Sequence, residues 1–310
     1  MVSVDVLEAL DVLLWLRTGH RAASYLGCTQ STVSRKSRRC LDVFRLKRVR
    51  HNGEWHLHGD CDLIDLERKV HQARRWQQGS DLRLEAQPWC AHLIPPVPRL
   101  RGWLCGNLDY ADCDRPLQLL RLGIIDAWIR SVPGPPSLEE LPCELSAQPI
   151  LTTALWPVVK PGHPLLERGA TISPDDLRAF PFAPLPPGVA PALQRRLQEL
   201  DLWPAPEHQP GLNGNGWMDH QPSLNTMAIG LESTLRLATG LAADWQPLPL
   251  PLPLLVQEVL VAPREVDGSA PQQILLADLR AQAAQMAAAV PRWLEPMPEL
   301  VVHGPDRAWM

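Results

Sequence analysis

Apolar residues recur at helical spacing through the first 80 positions and then give way to shorter alternating runs. Val6, Leu7, Leu10, Leu13 and Leu14 place one stripe on a helix over 3–18, which Gly19 ends. A second short helix, 20–26, offers Ala22, Ala23 and Leu26 before Gly27 breaks it. Thr29, a residue of the N-cap type, opens a third helix that runs to about Phe44 with Val33 as its buried plug. Three short helices with a glycine-marked turn between the second and third make a helix-turn-helix. The start of the third, TQSTVSRK (29–36), is rich in hydroxyls, which do little for a helix interior and much for a polar contact.

The next segment, RLKRVRHNGEWHLHG (45–59), alternates on both sides of Asn52-Gly53, a strong two-residue hairpin signal, and predicts a small two-stranded wing. From 60 to 79 the pattern is helical again. Leu63, Leu66, Val70, Ala73 and Gln77 fall at alternating three- and four-residue steps, close to a heptad seam, between Asp60 as a cap and Gly79 as a stop. Such a seam is short, so pairing through it needs help from elsewhere.

Beyond residue 81 short strands and helices alternate. Strands are predicted over 82–87, 102–107, 124–130 and 254–262, and a strand pair with a His-Pro turn over 149–166. Segment 172–186 reads as a capped one-turn helix and a strand. Helices are predicted over 115–123, 189–200, 222–239 and 270–290, and a loose tail after Pro291. This order points to an α/β sheet domain in two lobes with crossing connections.

Charge sharpens the division. Between Arg17 and Arg50 there are ten Lys or Arg and one acid, Asp42, whereas residues 81–310 hold 16 basic and 25 acidic residues. The net charge of −4 therefore hides a basic N-terminal block suited to a polyanion, on an acidic body. The 33 prolines sit mainly after residue 85, as in LIPPVP and PLPLPLP, and predict short elements and fixed turns there. No run approaches the ~20 apolar residues of a membrane span. The N-terminus lacks a signal-peptide pattern. Seven scattered cysteines without a CxxC read as reduced thiols of a cytoplasmic protein.

Other motifs point nowhere in particular. HLHGDC (56–61) has two His and one Cys at short spacing, but alternating His on a wing strand is a weak metal signal. GLNGNG (211–216) lacks the Lys of a phosphate loop. Cys105 and Cys113 are a weak redox pair. No HExxH, GxSxG or paired-carboxylate arrangement supports an enzyme, and no cofactor is expected.

Taken in order, these residues resemble the LysR-type transcriptional regulators. That family's helix-turn-helix runs AA-x2-L-x2-SQ-x-AVS, and this chain has Ala22-Ala23, Leu26, Thr29-Gln30 and Thr32-Val33-Ser34. LLRLGIIDAWI (119–129), KPGHPLLERGATISPDDLRAFPF (160–182) and LATGLAADW…LPLPLP (237–253) are similar to three further family segments. Departures occur at Ser37, where the family has an apolar residue, at Cys40-Leu41, at the start of the wing, and at Pro95, Pro96 and Pro98, which shorten the helix after the first sheet strand. The resemblance implies an N-terminal winged helix-turn-helix (1–59), a linker and dimerisation helix (60–79), a two-lobed effector domain of the periplasmic-binding-protein type (80–295) and a loose tail (296–310).

It also implies roles. Thr29, Gln30, Ser31, Thr32, Ser34, Arg35 and Arg38 would face DNA, with Gln30 suited to adenine; plain capping is the other reading for Gln30 and Ser31. Lys36, Arg39 and the wing cations Arg45, Lys47, Arg48 and Arg50 suit phosphates. Arg38 and Arg39, ~100° apart on a helix, are not expected to face DNA together, which leaves one structural. Leu63, Leu66, Val70 and Ala73 would carry dimerisation. By position, Gln87, Trp89, Cys90, Asn107, Pro186, Ser223 and Thr226 would line an effector site. The partners implied are double-stranded DNA, further copies of the chain as a dimer or tetramer, a small effector of a class that includes anions, and RNA polymerase. The rival readings are a relative that has lost effector sensing and acts through protein contacts, and a solute-binding protein that does not touch DNA.

Overall fold

The computed structural model describes residues 2–51, 53–95, 100–110, 113–133, 141–182, 190–202, 227–231, 245–250, 252, 254–288 and 301–302. The three N-terminal helices form as the spacing predicts: α1 (Val4–Leu16), α2 (Gly19–Tyr25) and α3 (Gln30–Phe44). Gly27, at φ 62°, makes the turn between α2 and α3, and Val33 is fully buried beneath it. The wing is the antiparallel pair β1 (Lys47–His51) and β2 (Glu54–His58). The linker helix α4 (Asp62–Gln78) ends at Gly79 in the left-handed conformation.

The second domain is built on an eight-stranded mixed sheet. Its strands are β3 (Leu82–Ala86), β4 (Trp103–Cys105), β5 (Ala127–Pro133), β6 (Leu145–Val159), β7 (Ala228–Leu231), β8 (Gln246–Pro247), β9 (Leu255–Pro263) and β10 (Val301–Val302). The order is β10-β6-β9-β5-β3-β4, with β7 and β8 also on β6. β3 lies parallel to β4 and β5, and β9 runs antiparallel between β5 and β6. Among the described residues its helices are α5 (Asp114–Arg121), α6 (Pro174–Arg178), α7 (Pro191–Glu199) and α8 (Ala270–Ala288). Ser173 and Asp176 close a capping box on α6.

Several expectations are corrected. The strand pair over 149–166 is one fifteen-residue strand, β6, followed by a 3-10 helix, Pro164–Thr171. Its first part pairs with β9 and its last with β7 and β8, so this strand carries the chain from the first lobe to the second. Pro149 sits where the β6–β9 register shifts, as expected of a residue without an N–H. Within the helix expected over 222–239, residues 228–231 are strand, because pairing with β6 satisfies their backbone. In the expected loose tail, Val301–Val302 pair with Thr152 and Leu151 of β6. The prolines after β3 leave a 3-10 helix, Pro88–Leu93.

The two faces of the first lobe's sheet belong to different cores. Leu82, Leu84, Ala86, Ile129 and Leu260 meet α8 on one side. Trp128, Val132, Val259 and Val261 meet α5 and helix α1 on the other. The second lobe has its own core around Leu155, Leu177, Phe182, Leu197 and Leu254. Among the described residues no helix is long and apolar enough to cross a membrane.

Candidate nucleic-acid interface and effector region

The N-terminal turn of α3 is organised by Thr29. Its hydroxyl accepts from the Thr32 backbone N–H at 3.2 Å and lies 2.9 Å from the hydroxyls of both Ser31 and Thr32. Thr29 is therefore the cap, and its hydroxyl is committed to the helix. Gln30 is exposed and its side chain runs along Gly19, where an added Cβ would stand 2.9 Å from Gln30 Cγ. Gln30, Ser31, Ser34, Arg35, Arg38, Arg39 and Asp42 are all exposed, and Val33, Ser37 and Cys40 are buried. The i, i+4, i+7 spacing of that buried row leaves the other face of α3 open.

Arg38 and Arg39 are both exposed, and with Ser31, Ser34, Arg35 and Asp42 they flank one open groove. Lys36, by contrast, is tied to Asp5 of α1 at 2.8 Å. On the wing, Arg50 is exposed, with its Nε on the Gly53 carbonyl at 3.2 Å. Arg48 is half-buried with its guanidinium carbon 4.3 Å from the Trp55 ring centroid, and burial lowers its pKa. It packs on the wing more than it projects from it.

Ser37 occupies an apolar position. It is fully buried and its hydroxyl has no hydrogen-bond partner. An unsatisfied buried hydroxyl costs about 1–3 kcal/mol, and alanine is the better helix former. Ser37→Ala is expected to raise stability by about 1 kcal/mol, read as a higher urea midpoint. A lower midpoint would show that the hydroxyl has a partner after all.

Helix α4 has two unlike faces. Ile64, Arg68, Gln72, Arg75 and Trp76 are buried against the chain, whereas Leu63, Leu66 and Val70 are 69, 65 and 67% exposed and Ala73 is exposed beside them. An exposed apolar row of this kind on a charged helix is a candidate association surface. The buried face holds two ion pairs that pattern reading missed. Arg68 Nε donates to Asp11 at 2.9 Å, and Arg75 donates to both oxygens of Asp126 at 2.8 and 2.9 Å. The signals were Asp11 inside the apolar run VLEALDVLLWL and Asp126 at the start of a buried strand.

The expected effector residues at the ends of β3 and β5 are largely occupied with one another. Gln87 and Cys90 are buried. The Ser131 N–H donates to Gln87 Oε1 at 2.8 Å, Trp89 Nε1 donates to Ser131 Oγ at 3.1 Å, and the Cys90 thiol lies 3.4 Å from that same hydroxyl. Beside them His92 Nε2 is 3.2 Å from the fully buried Glu258 carboxylate. Burial opposes the His92 charge, but Glu258 outweighs it and raises the pKa. Asn107 is exposed on the loop after β4, and Pro186, Ser223 and Thr226 lie outside the described residues.

None of the seven cysteines is in a disulfide, Cys105 and Cys113 included. Burial pushes the Cys90 thiol well above its ordinary value and that of Cys105 up to about 11, which keeps both protonated and unreactive. Among the described residues no three His, Cys, Asp or Glu side chains are placed to hold a metal ion, His56, His58 and Cys61 included. The GLNGNG segment lies outside the described residues.

Residues 107–209 match the family model of the LysR substrate binding domain. No curated protein sequence matches the chain. Among solved structures, a probable transcriptional regulator from Pseudomonas aeruginosa is similar at 16% identity and a TM-score of 0.53, over 90% of this chain and 97% of that one. A full-length OxyR variant from the same organism is similar at 16% identity and a TM-score of 0.51, over 94% of this chain and 98% of that one. At these identities the likeness is one of fold, from the N-terminal helices to the two-lobed domain.

Proposed function

We propose that the chain is a LysR-type transcriptional regulator, a sequence-specific DNA-binding protein that works as a homo-oligomer in the cytoplasm and not as an enzyme. The observation that carries this reading is the open face of α3. Gln30, Ser31, Ser34, Arg35 and Arg38 stand there together, opposite a buried row that fixes the helix. Gln30 supplies an amide for a base edge, Ser31 and Ser34 supply hydroxyls, and the guanidiniums supply guanine or phosphate contacts. Thr29 and Thr32 set the helix start, and Arg50 extends the basic surface along the wing.

Footprinting on the DNA upstream of the gene at two salt concentrations tests this. Protection that weakens as salt rises is the expected result, and no protection at the lower salt would overturn it. Replacing Arg35 and Arg38 together by Ala is expected to weaken binding and to flatten the slope of log affinity against log salt by about two, one for each phosphate cation removed. An unchanged slope would remove both residues from the interface.

Leu63, Leu66, Val70 and Ala73 form the proposed self-association surface, with a tetramer assembled through further contacts. A buried lysine at such a seam is strongly unfavourable. Leu66→Lys is expected to leave a folded monomer by analytical ultracentrifugation; an unchanged sedimentation coefficient would place the interface elsewhere.

A small effector between the lobes, and a contact with RNA polymerase, complete the reading. The Gln87–Ser131–Cys90 network favours a second one, in which effector sensing is lost and regulation runs through protein contacts, because groups expected to meet a ligand already meet one another. A thermal-shift screen of small metabolites separates the two: a ligand that stabilises in proportion to its concentration removes the second.

A further inference from the structure

Helix α1 belongs to two domains at once. Ten of its thirteen residues are buried, including Asp11 and every position from Ala9 to Leu16. A helix of a free-standing winged domain has one apolar stripe and one wet face; a helix buried all round is inside a core. Here one side of α1 meets α2 and α3, and the other faces the sheet, where Glu8 stands 3.7 Å from Arg83 of β3 and the apolar residues share one core with Trp128. A doubly wound sheet needs helices on both faces. On this face α1 and α5 contribute to one core, while the 3-10 helix after β3 packs on the opposite face beside α8.

Polar contacts close the seam from several elements. Trp15 Nε1 donates to Glu85 of β3 at 2.7 Å, and the Tyr110 hydroxyl donates to the Trp15 carbonyl. Arg115 of α5 reaches the wing, donating to the Trp55 carbonyl at 2.7 Å. Gly106 leaves no slack: an added Cβ would stand 2.2 Å from Glu85 Oε2 and 2.7 Å from Trp15. The connection is equally tight. Three residues separate α4 from β3, and a Cβ on Gly102 would stand 2.2 Å from the Gly79 carbonyl oxygen.

We propose that the winged helix-turn-helix is a built-in layer of the first lobe, so that the recognition helix, the wing and that lobe move as one rigid body. Swinging the winged domain about its linker would bare Trp15 and Trp128 and strand the Glu85 carboxylate. A signal can then re-aim α3 only by moving whole protomers against each other. The rigidity stands on the intrachain contacts alone; its regulatory consequence rests on the DNA-binding reading.

Native-state hydrogen exchange on the full chain, at rising but sub-denaturing guanidinium, tests it without DNA. The slowest amides of α1 and α3 are expected to share one opening free energy and one denaturant slope with those of β3 and β5. Gly106→Ala, a wedge at the seam, is expected to lower protection in both sets by the same factor, about tenfold. Opening of α1–α3 as a separate unit with a smaller slope would overturn the proposal, as would a wedge effect confined to the lobe. Because no DNA is present, failure here is distinct from failure of the footprint.

Discussion

Asp126→Ala is expected to be among the most damaging single changes to the fold, at about 3–5 kcal/mol. Asp126 is fully buried and accepts from Arg75 Nε and Nη2 and from the Arg83 backbone N–H, all within 2.9 Å. Burial works against the Arg75 charge, and Asp126 more than offsets it. Without the carboxylate the guanidinium, whose side chain is only 11% exposed, keeps the Gly123 carbonyl at 2.8 Å as its one hydrogen-bond partner among the described residues. A domain has about 5–15 kcal/mol of stability in all, so this loss is a large part of it. Urea denaturation reads the effect as a lower midpoint with an unchanged slope. Replacing both partners by apolar residues of similar volume, Asp126→Leu with Arg75→Met, should recover much of the loss, because neither charge is then left unpaired. If Asp126→Ala costs under about 1 kcal/mol, the pair is not buried as described.

That pair also joins the linker helix to the first lobe, and it shows where pattern reading ends. The stripe on α4 was legible because exposure leaves apolar residues at regular steps with charge between them. The wing was legible because Asn52-Gly53 has one dominant local conformation. Helix α3 was legible from Thr29 and Val33, since cap and plug are local features. What α1 packs against is not local. Its near-continuous apolar run shows burial on more than one side, but no periodicity names the partner, and only Asp11 hinted at a guanidinium within the core.

The long strand β6 was misread for a related reason. Pro149 and Pro157 look like breaks, yet each is accommodated once β9 and then β7 and β8 supply partners along the strand. Residues 228–231 take strand form for the same tertiary reason. Effector positions were placed by resemblance alone, and Gln87, Trp89 and Cys90 proved to be held in a network that no spacing encodes.

The seam between the winged domain and the lobe should respond to pH through Glu85. This carboxyl is fully buried, and burial raises its pKa from 4.5 to about 7 in spite of the N–H groups of Trp15, Ala86 and Leu108 that favour the anion. Asp109 pushes in the same direction as burial, and Cys105 and Tyr110, which Glu85 influences in turn, hold their protons across this range. The folded chain therefore binds a proton that the unfolded chain has released between about pH 4.5 and 7. Stability contributed by the protonated form is present below 4.5 and falls as pH rises through 7, by about 3 kcal/mol in total. His92, also raised, adds a loss with rising pH, whereas His56 and His71, both lowered, oppose it. The difference between the wild-type chain and Glu85→Gln isolates the carboxyl. That difference is expected to be level below about pH 4.5, to fall across the window and to level again above about pH 8. Parallel stability curves for the two proteins would mean that Glu85 has the same pKa in the folded and unfolded chain, and that burial does not hold a proton on it at the seam between α1 and β3.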